Sequence, residues 1–157
     1  MVMGFGGIAE LTSDECWQLL RSRELGRIAA SAAGMVDIFP VNYAVDGETI
    51  MFRTAPGTKL LELAINDHVA FEIDDHDEAK AWSVVVKGRA ERVERQSEMD
   101  AAETLGLTPW IPTLKYRWVR ILPTDVAGRR FSLGPEPPPA LGWHPCPGAF
   151  SRAPSLM

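Results

Sequence analysis

The polar residues with the clearest chemical potential lie in one short segment of the chain. It contains two cations, Arg53 and Lys59, and two hydroxyl side chains, Thr54 and Thr58. Guanidinium, ammonium and hydroxyl groups are common side-chain donors to phosphate oxygens. The segment therefore predicts a site that holds a phosphate group.

The surrounding elements would position these donors where a strand meets a helix. The run Glu48–Arg53 alternates as a strand does, with Ile50 and Phe52 on the interior face and Arg53 on the outer face. A Pro-Gly pair then allows a sharp turn, and an apolar helix follows. The first N–H groups of that helix have no intrahelical partner and lie at the positive end of its dipole, so they strengthen the predicted anion site.

Composition narrows the class of protein. The chain has 157 residues, 46% of them hydrophobic, and a formal charge of −5, so we expect one globular domain without a general affinity for nucleic acid or anionic membranes. No apolar run approaches the roughly 20 residues that span a bilayer, and residues 1–10 lack the features of a secretory signal. Cys16 and Cys146 lack metal-ligand spacing and are expected to be reduced. These features predict a cytoplasmic protein.

Most of the chain has the pattern of strands joined by short turns. Asp46-Gly47 is a hairpin signal, Gly88 predicts a kink, and Pro40 predicts a bulge or an edge position. Strands linked mainly by hairpins favour a mainly β (α+β) fold, an antiparallel barrel with short flanking helices, over alternating βαβ units. The predicted strands are Leu25–Ala33, Met35–Val45, Glu48–Arg53, His68–Asp74, Ala81–Glu94, Lys115–Leu122 and Asp125–Phe131.

Two helices outside the phosphate segment have recognisable starts. Thr12 with Glu15 matches a capping box for a helix that ends near Arg23. Ser97 with Asp100 matches a second one. Both helices are short and are expected to flank the barrel.

The chain divides into three segments. Residues 1–11 are expected to form a flexible N-terminal arm, and residues 12–132 the barrel domain. Residues 133–157 hold seven of the twelve prolines and predict an extended C-terminal tail. The crowded acidic residues 74–78 are more typical of a solvated turn than of a metal site.

Three segments in order, FRTAPGTKL, VAFEID and WSVVVKGRAERV, resemble the flavin-binding split-barrel family related to pyridoxamine 5′-phosphate oxidase. The upstream PVNYAVDG segment fits the same pattern, and the resemblance covers roughly residues 12–131. It implies a split barrel that forms a homodimer, with FMN bound at the subunit interface. It also implies that Arg53 and Lys59 bind the FMN phosphate, and that Thr54 meets the isoalloxazine ring or the ribityl chain.

The same resemblance brings two further strands to the cofactor. Val41 and Asn42 would lie along the flavin ring. Trp82 and Ser83 would open the strand that contributes to the same pocket, from the same or the other subunit. Core packing is the alternative for Trp82, and a solvent-facing position is the alternative for Ser83.

The resemblance leaves the activity open among several subfamilies. The C-terminal substrate-binding segment of the pyridoxamine phosphate oxidases proper has no counterpart in GPEPPPALGWHPCPG, so vitamin B6 synthesis is not implied. The leading hypothesis is an FMN-dependent oxidoreductase that acts on an unknown small molecule, with no dedicated acid–base residue apparent. A deazaflavin coenzyme or haem is the alternative to FMN. A non-enzymatic sensor, storage or carrier protein is the alternative to an enzyme.

Overall fold

The structure, a computed structural model, describes residues 7–32, 34–55, 67–107 and 117–135. This described part of the chain forms one seven-stranded antiparallel sheet with two flanking helices, neither of which is long and apolar enough to cross a membrane. The elements are β1 (Ile8–Glu10), α1 (Ser13–Arg21), β2 (Leu25–Ala32), β3 (Met35–Asp46), β4 (Thr49–Thr54), β5 (Asp67–His76), β6 (Lys80–Arg92), α2 (Gln96–Glu103) and β7 (Arg117–Ser132).

The sheet closes on itself through β7. The strand order is β1-β7-β4-β3-β2-β5-β6, and β7 also pairs with β6. The first half of β7 lies between β4 and β6, and its second half lies between β6 and β1. This arrangement confirms the predicted antiparallel split barrel.

The barrel interior is filled by alternate residues of the long strands, as the period of a strand requires. Ile50 and Phe52 are both fully buried, which confirms their predicted place inside. Helix α1 packs its apolar side against the same core. The other buried members are Cys16, Trp17, Leu20, Ile28, Ala30, Val41, Tyr43, Val69, Phe71, Ile73, Val84, Val86, Ala90, Val119 and Ile121.

A second, smaller cluster covers the outer face of β4 and β7. Met51 and Trp118 project from these strands and contact Ala102 of α2 and Val93, the residue that follows β6. All four side chains are buried. Helix α2 is therefore held on the outside of the barrel, over β4, the strand that contains Arg53.

The predicted kink at Gly88 is a β-bulge. Lys87 pairs with Asp125 and Gly88 pairs with Pro123, so Thr124 is the extra residue of β7. The Thr124 hydroxyl donates to the carbonyl oxygen of Lys87 at 3.2 Å. A Cβ atom on Gly88 would lie only 2.2 Å from the carbonyl oxygen of Leu122, so the close backbone approach requires glycine here.

The predicted break in the last strand is wrong. β7 runs continuously from Arg117 to Ser132, across the position of Pro123. Proline cannot donate to a ladder, but here it lies at the bulge, where the register shift accommodates it. The two strands predicted on either side of it are therefore one.

The strand β5 also continues beyond its predicted end at Asp74. Its pairing with β6 extends to His76, and the turn that follows is short. One carboxylate oxygen of Asp77 accepts the N–H groups of Ala79 and Lys80, both at 2.7 Å. These two backbone donors lower the pKa of Asp77.

Two other predictions of local structure are wrong. Ile8–Glu10, expected in a flexible arm, pairs with β7 as a strand too short for a periodic signal to reveal. Helix α2 starts at Gln96 with Arg95 at the N-cap and without a side-chain cap, so Ser97 lies inside the helix. The packing of Met99 against the second cluster accompanies this register.

The alternatives at Pro40 are resolved in favour of an edge position. Pro40 pairs with Arg27 of β2 in an unbroken register, so there is no bulge. The pairing of β3 with β4 begins only at Tyr43, and among the described residues Pro40 has a strand neighbour on one side alone. Its missing N–H therefore costs the sheet no hydrogen bond on the unpaired side.

The capping box of α1 is confirmed and gives a stability prediction. The N–H of Glu15 donates to the Thr12 hydroxyl at 3.2 Å, and the N–H of Thr12 donates to the Glu15 carboxylate at 2.8 Å. Because Thr12→Ala removes one acceptor, we expect it to lower the free energy of unfolding by about 1 kcal/mol, measured by urea denaturation. The neighbouring exposed substitution Ser13→Ala is the control and should change it far less.

The capping box also predicts a pH dependence. The backbone N–H of Thr12 lowers the pKa of Glu15 in the folded chain below its unfolded value. The stabilisation is therefore complete above the unfolded pKa and is lost as the pH falls through the folded pKa. Glu15→Gln should therefore reduce the loss of unfolding free energy at acid pH, measured by urea denaturation as a function of pH. The same pH dependence in variant and parent would contradict a contribution from Glu15.

Candidate functional site

Strand β3 exchanges its partner in the middle of its length. It pairs with β2 up to Asn42 and with β4 from Tyr43 onward. The β3–β4 ladder runs from Asp46–Thr49 to Tyr43–Phe52 and stops there, although both strands continue. We refer to this place as the open end of the β3–β4 ladder.

Four of the predicted site residues lie at this open end. If the register continued, Asn42 would face Arg53, and Val41 would face Thr54. Val41 and Thr54 are buried, on the face that carries Tyr43. Asn42 and Arg53 share the opposite, outer face, so their side chains are the ones available to a ligand outside the barrel.

Arg53 does not extend into solvent. Its side chain is only 12% exposed, and its Nη2 atom donates to Oε2 of Glu103 at 2.6 Å. The guanidinium also stacks on Trp118, with Cζ 4.4 Å from the ring centroid. Arg53 is therefore an anchored cation beneath the end of α2 rather than a mobile surface charge.

Trp82 and Ser83 lie on a different part of the barrel, near the start of β6. Trp82 pairs with Asp75 on one side and Arg130 on the other, and is partly buried against the main core. Ser83 is partly exposed. The structure does not bring these two residues into contact with Arg53.

The segment Arg23–Glu24 connects the region of Trp82 to the open end of the β3–β4 ladder. The Arg23 guanidinium lies 5.3 Å from the Trp82 ring centroid and donates to Asp75 at 2.7 Å. The carbonyl oxygen of Glu24 accepts from Asn42 Nδ2 at 3.4 Å and also from the next backbone N–H of β3. The pKa of Asp75 is lowered, mainly by the hydrogen bond from the backbone N–H of His76 and next by the hydrogen bond from Arg23.

A cavity of about 420 Å³ lies beside this connection. Its size falls within the usual range for small-molecule sites. It lies between the end of α1, β3 and the segment that follows α2, and includes both charged and apolar side chains. Its lining includes Arg21, Arg23, Asn42, Val45 and Leu105.

Sequence reasoning missed three residues of this region. Trp118 and Glu103, which hold Arg53, come from elements far from it in the chain, so their spacing gave no signal. Arg23 had only a weak signal, as a second arginine just after α1. Thr58 and Lys59 lie outside the described residues, so their predicted roles stay predictions.

Two acidic residues near the end of β5 take part in ion pairs. Asp74 pairs with Arg27, and Asp75 pairs with Arg23. Within residues 7–32, 34–55, 67–107 and 117–135, no group of three or more His, Cys, Asp or Glu side chains could hold a metal ion. The one described cysteine, Cys16, is a free thiol, and its burial raises its pKa.

Comparison with known proteins identifies the fold family. The structure of the FAD binding protein from Mycobacterium smegmatis has a TM-score of 0.75 and 47% identity, and the match covers 80% of this chain and 100% of that chain. Two uncharacterised proteins of Mycobacterium tuberculosis are 46% identical over 93 residues and 33% identical over 131 residues. These alignments cover 59% and 78% of this chain, and 84% and 85% of the two relatives.

The family match covers α1, α2 and all the strands of the barrel except β1 and the last two residues of β7. The sequence model of the family described as pyridoxamine 5′-phosphate oxidase matches residues 12–130, which confirms the resemblance drawn from the three sequence segments. The match begins at the N-cap of α1 and ends within β7, so it includes both strands of the open end of the β3–β4 ladder. The chain therefore belongs to the pyridoxamine 5′-phosphate oxidase family.

Proposed function

We propose that the protein is a flavin-dependent oxidoreductase that holds the phosphate of its cofactor at the open end of the β3–β4 ladder. The observation that carries the proposal is the anchored guanidinium of Arg53 on the same outer face as Asn42. A fixed planar cation is well suited to a phosphate group because little side-chain entropy is lost on binding. Lys59 and Thr58, which follow closely in the sequence, would supply further donors.

FMN is the cofactor that this site is proposed to take. The Mycobacterium smegmatis relative is described as an FAD binding protein, and FAD contains the FMN group with its phosphate. Arg53 could therefore bind a phosphate of either flavin, and the phosphate of a deazaflavin coenzyme as well. When bound, the cofactor supplies the redox chemistry, while Arg53 and Asn42 bind and orient it.

A homodimer is part of the proposal. The outer face of β3 that carries Asn42 also carries Val36 and Ile38, which are 70% and 66% exposed. Contiguous apolar side chains on a strand face are typical of an interaction surface. A second copy seated there would cover this surface and form the second wall of the cofactor site.

Identification of the copurifying ligand tests the proposed function. We expect the absorbance spectrum of a flavin and the mass of FMN or FAD, and light scattering should give the mass of a dimer. Reduced nicotinamide or a reduced deazaflavin donor should then bleach the bound flavin. A protein that takes up neither flavin nor the deazaflavin coenzyme would contradict the proposal. A bound flavin that no donor reduces would favour a binding, storage or sensor protein.

A further inference from the structure

We propose that Glu103 competes with the cofactor phosphate for Arg53 and thereby determines which phosphate the site prefers. The inference rests on the proposed function, because it concerns the same phosphate site. It assigns Glu103 as a specificity-determining residue that weakens the binding of doubly charged phosphate monoesters. Removal of the Glu103 charge should therefore strengthen phosphate binding, whereas removal of a residue that stabilises the bound phosphate would weaken it.

Glu103 is bonded directly to Arg53, the residue proposed to bind the phosphate. One carboxylate oxygen, Oε2, accepts from Arg53 Nη2 at 2.6 Å, and the other, Oε1, accepts from Trp118 Nε1 at 3.2 Å. The Arg53 guanidinium stacks on the same indole ring. A phosphate oxygen that approaches the Arg53 guanidinium therefore meets the Glu103 carboxylate, which already accepts from Nη2 of Arg53.

The two partners differ in how firmly they are held. Arg53 is 12% exposed and lies against an aromatic face, whereas Glu103 is 58% exposed. Glu103 is also the last residue of α2, at the negative end of the helix dipole, and the last turn of α2 has no basic residue. An arriving anion would thus displace the carboxylate toward solvent more readily than it would move the arginine.

The charge of the ligand then determines how strongly Glu103 opposes binding. A carboxylate repels a phosphate monoester, which carries nearly two negative charges, more than it repels one phosphate of a diester or pyrophosphate, which carries one. FMN ends in a monoester, and FAD carries a pyrophosphate. Glu103 therefore shifts the preference of the site from FMN toward FAD, by repulsion rather than by a new contact.

The test compares the binding of three flavins to the full-length apoprotein and to two variants. In Glu103→Gln the repulsion is removed, so we expect the affinity for FMN to rise about fivefold, the size of effect typical of a partly exposed ion pair. The affinity for FAD should rise less, and the affinity for riboflavin, which has no phosphate, should not change. Quenching of flavin fluorescence on binding measures all three, without any need for turnover.

The matched control is Glu98→Gln on the same helix. Glu98 also pairs its carboxylate with an arginine of the sheet, Arg120, at 3.2 Å, but does not contact Arg53. This variant should leave all three affinities unchanged. Thermal unfolding of both apo variants checks that neither has lost the fold.

Three results would overturn the inference. Weaker FMN binding in Glu103→Gln with unchanged riboflavin binding would make Glu103 a supporting residue. Equal FMN affinity in Glu103→Gln and Glu98→Gln would remove Glu103 from the site. A parent protein that binds none of the three flavins would contradict the proposed function itself, which distinguishes that failure from the other two.

Discussion

Replacement of Gly88 by alanine is expected to lower the free energy of unfolding by roughly 3 kcal/mol or more. The added Cβ would lie 2.2 Å from the carbonyl oxygen and 2.9 Å from the carbonyl carbon of Leu122, and neither atom belongs to a flexible side chain. The backbones of β6 and β7 would have to move apart at the bulge. These two strands close the barrel, so the substitution opens the structure at its seam.

Chemical denaturation of the variant and the parent measures the effect. Gly134→Ala is the matched control, since a Cβ there would meet nothing within 4 Å and the backbone does not have a positive φ. The control should change the free energy of unfolding little. A Gly88→Ala protein as stable as the control would show that the close approach at the bulge is absent in solution.

Arg53→Met is expected to weaken FMN binding by about 10- to 100-fold. This range corresponds to the loss of hydrogen bonds that involve a charged donor, worth about 1.5–3 kcal/mol. The methionine keeps much of the apolar packing on Trp118 but cannot donate. Riboflavin, which lacks the phosphate, should lose little affinity, so the ratio of the two affinities reports on the phosphate contact alone.

Arg120→Met is the control for this substitution. Arg120 has a side chain of similar burial on β7, 16% exposed, and it also pairs with a carboxylate of α2. Its loss should affect stability without changing the ratio of FMN to riboflavin affinity. If the ratio fell equally in both variants, Arg53 would not be a specific phosphate ligand.

The sequence predicted the fold well wherever the signal was local. Hydrophobic alternation in β4 and the capping box of α1 depend on residues within a few positions of one another, and both are confirmed. The hairpin at Asp46-Gly47 is confirmed as well, although Asp46 ends β3 and the turn consists of Gly47 and Glu48. Gly47 has a φ of 60°, which accounts for glycine at that position.

The errors arose where a distant strand decides the local structure. Pro123 signals a break when it is considered alone, but the bulge opposite Gly88 carries the strand through. Ser97 has a side chain that is typical of an N-cap, but α2 begins before it. The position of α2 is set by its packing on Trp118, which belongs to a strand distant in the chain. Ile8–Glu10 becomes a strand only because the edge of β7 is available to it.

The site shows the same division. Arg53 and Asn42 could be proposed because they lie in segments with recognisable patterns. Their environment could not, since Glu103 and Trp118 join Arg53 from two other elements, and Arg23 contacts Trp82 from the segment between α1 and β2. Long-range contacts of this kind leave no fixed spacing in the chain.

The closure of the barrel through β7 has a consequence for synthesis of the chain. β7 supplies a neighbour to β1, β4 and β6, so a nascent chain that lacks it has unpaired backbone groups along β4 and β6. Unpaired edges of this length readily bind strands of other chains. The barrel cannot close until β7 has left the ribosome, so the growing polypeptide exposes these strand edges until then.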